Sequence, residues 1–333
     1  MNHRAAIRLA AASSALLLLA ACHPGHRQSA LHPAADAASR ISTLWWVMFA
    51  VLAASFVLVM ALTWLAVVRA PSDRAEEEQR RTRRLVIGGG FVFPGVVLLG
   101  MLFYSLGTSA ALRRPPEGLR IEVTGYQWWW DVRYPGEAIA IANELYIPAG
   151  EPVVVELLAA DVIHSFWVPN LHGKIDMMPD MPTRIVLEAD APGEWRGQCA
   201  EFCGRQHAWM AFKVVALPRP EFDAWLLARQ QARAAPKTQD SALLRRGEDI
   251  FFRESCHACH AVGGTRATAL LGPDLTHLGS RLTLGAGRIE NTDEQLARWI
   301  LDPQELKPGN LMPATPLPPD DLDALVAWLR TLQ

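Results

Sequence analysis

The sequence predicts a multidomain membrane protein: a two-helix transmembrane hairpin, then an all-β sandwich, then a small all-α domain. Three observations predict it. Two long apolar runs flank a short arginine-rich stretch; β-rich segments punctuated by Gly and Pro follow; helical periodicity then surrounds a Cys-x-x-Cys-His motif. A chain of 333 residues has room for several domains, and 50% hydrophobic content is high for a wholly soluble protein. The net charge of −2, with no basic patch interleaved with aromatics, argues against nucleic-acid binding.

Residues 1–21 read as an export signal. Arg4 and Arg8 precede an apolar core that ends in Leu19-Ala-Ala-Cys22. Small residues before a cysteine resemble the bacterial lipobox, which makes Cys22 a candidate lipidation site and the mature N-terminus. An uncleaved anchor is the rival, but the run is short for a span. Residues 22–43 then form an outer N-terminal segment. The first span is placed at 44–68 and the second at 85–112, where Gly88-Gly-Gly90 and Pro94 are tolerated by a membrane helix. Between them, residues 69–84 carry Arg69, Arg74, Arg80, Arg81, Arg83 and Arg84, which assign this loop to the cytoplasm and both chain ends to the outside. Arg113 and Arg114 oppose that orientation and are outnumbered.

Residues 113–217 change to short strands, including Arg120–Thr124, Pro152–Leu158 and Arg184–Glu188. With a metal loop near the end, they imply a Greek-key sandwich of the cupredoxin form. Residues 218–240 hold a helix, with Phe222, Trp225 and Leu226 on one side, and then a linker at 234–240. Residues 241–333 are expected to be helical, with Ala242–Phe252, Asp293–Leu301 and Pro319–Leu332 as helices. Asp320, Asp321 and Asp323 fall in the first turn of the last helix, where the dipole favours them.

The metal loop is Cys199-Ala-Glu-Phe-Cys-Gly-Arg-Gln-His-Ala-Trp-Met210. Thiolate, imidazole and thioether in one short loop form a ligand set for redox-active copper. Zinc seldom takes methionine, and this spacing lacks a second cysteine pair. A Cys199–Cys203 disulfide would leave His207 and Met210 unexplained. Two thiolates are one more than a mononuclear blue-copper site uses, so two coppers bridged by sulfur are expected. His164 is the best candidate for the second histidine.

Cys256-His-Ala-Cys-His260 is the attachment signature of a c-type haem, with Cys256 and Cys259 forming thioethers and His260 an axial ligand. Met312 is the only methionine after that motif and is the expected second ligand. His257 is confined within the attachment loop, and His277 is expected on the surface. Gly272-Pro-Asp-Leu275 resembles the segment that buttresses the proximal histidine in small cytochromes c, so the final domain reads as an all-α class I cytochrome c domain.

His164 with the Cys-x-Glu-x-Cys-x-x-x-His-x-x-Met run resembles the binuclear CuA centre of cytochrome c oxidase subunit II. Gly125-Tyr-Gln-Trp-Trp-Trp130 is similar to that family's tryptophan-rich strand. With the haem motif, the chain resembles a subunit II fused to a cytochrome c, as in caa-type haem–copper oxidases. The resemblance implies His164, Cys199, Cys203, His207, Met210 and the Glu201 carbonyl as copper ligands. It implies a magnesium at the boundary with subunit I, reached by the Glu201 carboxylate, and Trp128 as the residue that receives electrons. It also implies subunit I and other oxidase subunits as partners, cytochrome c or another donor, and a bacterial inner membrane with the cofactor domains outside. Electrons would pass to haem a in subunit I, where oxygen is reduced. The family's glutamate before the second-span proline falls on Ile87, which puts the proton-channel role in doubt. A quinol oxidase subunit II lacks the copper ligands. A CuA-containing nitric oxide reductase subunit and a free-standing membrane carrier remain alternatives. Because both domains are acidic, an apolar patch around Trp128 is expected to bring them together.

Overall fold

The computed structural model describes residues 28–69, 75–112, 118–232 and 241–333. The expected signal segment 1–21, Cys22, Arg74, Arg113, Arg114 and the linker at 234–240 lie outside the described residues.

Helix α1, Asp36–Val68, is apolar on all sides, and Phe56 and Trp64 on its flanks are exposed. Such a surface suits lipid rather than a protein core. The helix begins earlier than residue 44 because its first turns belong to the outer domain. Ala35 and Ala38 are buried, and the Asp190 amide donates to the Ala34 carbonyl. Helix α2, Ala75–Ile87, continues through a π-turn at Gly88–Val92 into α3, Phe93–Ala111. Arg80, Arg81, Arg83 and Arg84 therefore lie on a helix rather than in a loop, as their high helix propensity favours. The glycine triplet widens the helix without breaking it, and Pro94 falls just after the widened turn, where its missing N–H is accommodated. Two helices of 33 residues each are long and apolar enough to span a membrane among the described residues.

Ten strands form the sandwich: β1 Arg120–Tyr126, β2 Trp129–Tyr134, β3 Ile139–Ala142, β4 Glu144–Pro148, β5 Val153–Ala159, β6 His164–Trp167, β7 Ile175–Met177, β8 Thr183–Leu187, β9 Gly193–Cys199 and β10 Ala211–Leu217. One sheet runs β3-β2-β1-β5-β8 and the other β4-β10-β9-β6-β7. The β1–β5 and β4–β10 pairs are parallel, so the chain crosses between layers rather than meandering. The three expected strands are present as β1, β5 and β8, within a residue or two of their expected ends. Fully buried Trp130, Phe166 and Phe212 meet between the sheets, with ring centroids 4.7–6.1 Å apart. The tryptophan triplet is not one strand. Trp129 and Trp130 start β2, whereas Gln127 and Trp128 form the turn from β1 and send their side chains to the metal loop. Helix α4, Arg219–Ala232, closes one end, stacking Trp225 on Tyr146 at 4.4 Å.

The last domain contains α5 Ala242–Arg253, α6 Asp293–Leu301, α7 Pro303–Leu306 and α8 Pro319–Arg330. Helices α5 and α8 cross at Gly247, where a Cβ would collide with the Ala324 carbonyl. Asp321 does more than face a helix dipole. Its carboxylate accepts from Arg246 and Arg253 of α5, clamping the two helices. His277 is buried, not on the surface, because its Nδ1 is satisfied by the Gln333 carbonyl at 3.0 Å. A small hairpin, β11 Thr283–Leu284 and β12 Ile289–Glu290, also projects from this helical domain.

Candidate metal centres

Strand β6 begins with His164, and Cys199 at the end of β9 and the loop to β10 carry the other candidate ligands, so pairing of β6 with β9 brings them together. Cys199 Sγ lies 3.7 Å from Cys203 Sγ and 3.9 Å from His164 Nδ1. Cys203 Sγ is 3.7 Å from both His207 Nδ1 and Met210 Sδ. The Glu201 carbonyl oxygen is 3.1 Å from Cys199 Sγ. The cysteines are free, and His164, Cys199, Cys203 and Met210 are all buried. Pairs of metal bonds of about 2.0–2.3 Å are long enough to span each of these gaps. The donor set of two thiols, two imidazoles and a thioether fits copper.

The second layer fixes this cluster. His164 Nε2 bonds Asp161 Oδ1 at 2.8 Å, which turns Nδ1 toward the sulfurs. Asp161 is held in turn by the Gln127 and Val162 amides. A Cβ at Gly125 would lie 2.9 Å from the His164 ring, so this position of the strand needs glycine. Gln127 Nε2 and Trp128 Nε1 both donate to the Cys203 carbonyl, at 2.8 and 2.9 Å. Gly204, with φ of +111°, gives the loop the turn that lies against Trp128. The Glu201 carboxylate faces solvent beside Lys174 Nζ at 3.4 Å.

Electrostatics favour a thiolate. A hydrogen bond from Cys203 holds the Cys199 thiol well below its ordinary range, although burial opposes this. The same bond, with burial, pushes Cys203 up. Burial pulls on the His164 imidazole, but its bonds to Cys199 and Asp161 outweigh that and raise it.

At the haem-binding motif, Cys256 opens a short 3-10 turn that Cys259 caps, and the His260 amide donates to the Cys256 carbonyl. His260 Nδ1 donates to the Pro273 carbonyl at 2.7 Å, which leaves Nε2 for iron. A Cβ at Gly272 would lie 2.6 Å from the His260 ring. The Gly272-Pro-Asp-Leu275 segment thus packs against the histidine. Burial lowers the His260 pKa, consistent with the neutral form that ligates. Met312 is half-buried in a loop whose backbone is held by Asn310 and Gln304. A Cys-x-x-Cys pair on one turn, a neutral histidine with Nε2 left free and a methionine loop fixed by hydrogen bonds fit a c-type haem.

Sequence reasoning missed Asp161, Lys307 and Glu144. Asp161 stands three residues before His164, a spacing that could have flagged an orienting carboxylate. Lys307 and Glu144 carry no local signal. Both are buried where the two domains meet, and burial pushes the Lys307 ammonium down to about 7.

The family described as cytochrome c oxidase subunit II, periplasmic domain, matches residues 136–217, and the cytochrome c family matches residues 244–333. Cytochrome c oxidase subunit 2 of Alkalihalophilus pseudofirmus is 48% identical over 214 residues, covering 64% of this chain and 61% of the relative. The same-named protein of Bacillus sp. strain PS3 is 38% identical over 235 residues, covering 66% and 64%. Quinol oxidase subunit 2 of Bacillus cereus is 38% identical over 123 residues, covering 37% and 42%. The chain thus matches under two thirds of the length of these relatives. The chain thus joins a segment that matches the cytochrome c oxidase subunit II periplasmic family to one that matches the cytochrome c family.

Proposed function

We propose that this chain is the electron-transferring subunit II of a respiratory cytochrome c oxidase of the caa type. It would take electrons from cytochrome c or another donor at its haem-binding domain and deliver them through CuA to haem a in subunit I, where oxygen is reduced to water. One observation carries the reading. The soft-ligand cluster of Cys199, Cys203, His207 and Met210, closed by His164, shares a chain with a Cys-x-x-Cys-His domain that rests on its loop.

When bound, the metals and haem supply one-electron carriers that need no bond to form or break. The chain's own residues tether, orient and insulate them. Cys256 and Cys259 would attach the haem, and His260 and Met312 would ligate its iron, with the Pro273 carbonyl fixing the His260 ring. Cys199, Cys203, His207, Met210 and His164 would hold two coppers between them, with Asp161 orienting His164. Rigid strands and a buried cluster limit rearrangement when the charge changes. Trp128 is the residue through which electrons would reach copper, since its indole bonds the Cys203 carbonyl. The Glu201 carboxylate, on the exposed side of the loop, is the proposed magnesium ligand at subunit I. The apolar helices would anchor the chain in a bacterial inner membrane, with the cofactor domains outside and Cys22 lipidated.

Purification with the neighbouring subunits, followed by haem typing and gas consumption, tests this reading. Oxygen uptake driven by reduced cytochrome c is expected. Nitric oxide consumption without oxygen uptake would move the chain to a reductase, and a preparation free of any oxidase subunit would make it a carrier.

A further inference from the structure

The β11–β12 tip has the sequence Leu284-Gly-Ala-Gly-Arg288, and Gly285, Ala286 and Gly287 all have positive φ, between 60° and 74°. Three successive carbonyls of this tip accept hydrogen bonds. Gly285 accepts from Lys307 Nζ at 3.0 Å, Ala286 from the Ala211 amide at 3.1 Å, and Gly287 from Arg196 at 3.3 Å. Ala211 directly follows the ligand candidate Met210, and Lys307 Nζ also donates to the Trp128 carbonyl at 3.1 Å. The Arg288 guanidinium lies 4.7 Å over the Trp209 ring. On the other flank, Glu144 of β4 accepts from the Leu282 and Thr283 amides, at 2.7 and 3.1 Å.

Each domain therefore commits one buried charge to the other. Glu144, 2% exposed, accepts on one oxygen from the Tyr146 hydroxyl of its own strand and on the other from amides of the haem-binding domain. Lys307, 3% exposed, divides its donors between the Gly285 carbonyl of its own domain and the Trp128 carbonyl of the copper-binding domain. Buried charges add little net attraction, because both are well solvated when the domains part. They penalise every docked position that leaves one of them without its partner, and so select a single register. The covalent link supplies the high local concentration. Two hydrogen-bonded bridges from the copper loop, through Ala211 and through Trp128 with Lys307, converge on adjacent peptides of this tip.

We propose that the β11–β12 tip, Lys307 and Glu144 form a built-in docking clip that holds the haem-binding domain in one register on the copper loop. Lys307 and Glu144 are positioning residues, and the clip rests on the electron-transfer reading only for its purpose, since the docking is measurable without it.

The full chain, purified with its cofactors, provides the test. Lys307→Met keeps the aliphatic stem and removes the charge. Glu144→Gln keeps an acceptor and serves if the first variant fails to fold. Hydrogen exchange at the Ala211 amide should speed up by about tenfold or more in Lys307→Met, as expected for losing a hydrogen bond from a charged group, and measurably but less in Glu144→Gln, which keeps a weaker, uncharged acceptor. Haem-to-copper electron transfer should slow and become dependent on solvent viscosity, with both optical spectra unchanged. An unprotected Ala211 amide in the unaltered chain, or exchange and transfer rates unmoved in the folded variant, would overturn the clip. Absence of haem-to-copper transfer in the unaltered chain would instead sink the electron-transfer reading, leaving exchange to judge the clip.

Discussion

At the haem-binding motif, Cys256, Cys259 and His260 share one short turn, whereas the copper cluster draws His164 from β6 and its other ligands from the loop after β9. The supports differ in the same way. His260 is held by one carbonyl in a nearby loop, while in the copper cluster Asp161 holds His164 and two side chains from the β1–β2 turn hold the loop at the Cys203 carbonyl. A covalently tethered cofactor tolerates a light frame. Metal ligands without a covalent tether depend on a frame assembled from distant segments.

The sharpest way to break this contrast is at the sulfur in the middle of the copper cluster. Cys203 lies within 3.7 Å of Cys199, His207 and Met210. Cys203→Ser should abolish an electron shared between coppers, read as collapse of the multi-line hyperfine spectrum and a copper content below about two per chain. A spectrum from a single copper in the unaltered chain would refute the bridged pair.

Next come the supports themselves. Asp161→Asn leaves every ligand in place, yet copper affinity should fall about 10–100-fold. Gly272→Ala presses a methyl group on the His260 ring, 2.6 Å away in the present geometry. Here the haem should stay attached, with a shifted spectrum and no loss of stoichiometry. Equal cofactor loss from both variants would erase the distinction between tethered and framed sites.

A subtler pair separates conduction from ligation. Trp128→Ala should slow haem-to-copper transfer severalfold while both spectra persist, because the indole bonds the Cys203 carbonyl without being a ligand. Met312→Ala should instead change the haem spectrum and lower its potential. An unchanged transfer rate in Trp128→Ala would place the electron path elsewhere.

The smallest effect is expected from pH. Burial pushes His277 down to about 4, against 6.5 in an unfolded chain. Below 6.5 the unfolded state binds a proton that the folded state refuses, so the stability of the haem-binding domain should rise with pH between about 4 and 6.5. Melting temperatures across that window should show a shallower slope in His277→Asn. Identical slopes would show that His277 contributes nothing to it.

The candidate ligands were legible because their chemistry is written locally. Cys-x-x-Cys-His and the Cys199–Met210 run each fit within a dozen residues, and the apolar runs need only length and composition. Where the reading of elements went astray, a longer-range contact had intervened. Trp128 leaves the strand to reach Cys203, His277 is drawn inside by the Gln333 carbonyl, and the arginine-rich segment forms a helix continuous with the second span. Around Trp128 the domains also meet through polar groups, Lys307, Glu144 and a row of backbone carbonyls, beside apolar Leu282.

By itself the sequence determined which atoms are available for copper and haem, which segments are too apolar for water, and where the fold class changes along the chain. These follow from residue chemistry, spacing and periodicity, which act over a few residues. The tertiary structure alone decided how His164 is aimed, which glycines make room for the ligating rings, and how the domains meet. Those outcomes depend on pairs as distant in sequence as Glu144 with Leu282, or Trp128 with Lys307. No local pattern encodes such contacts, because each partner's burial and hydrogen bonding exist only once the other has arrived.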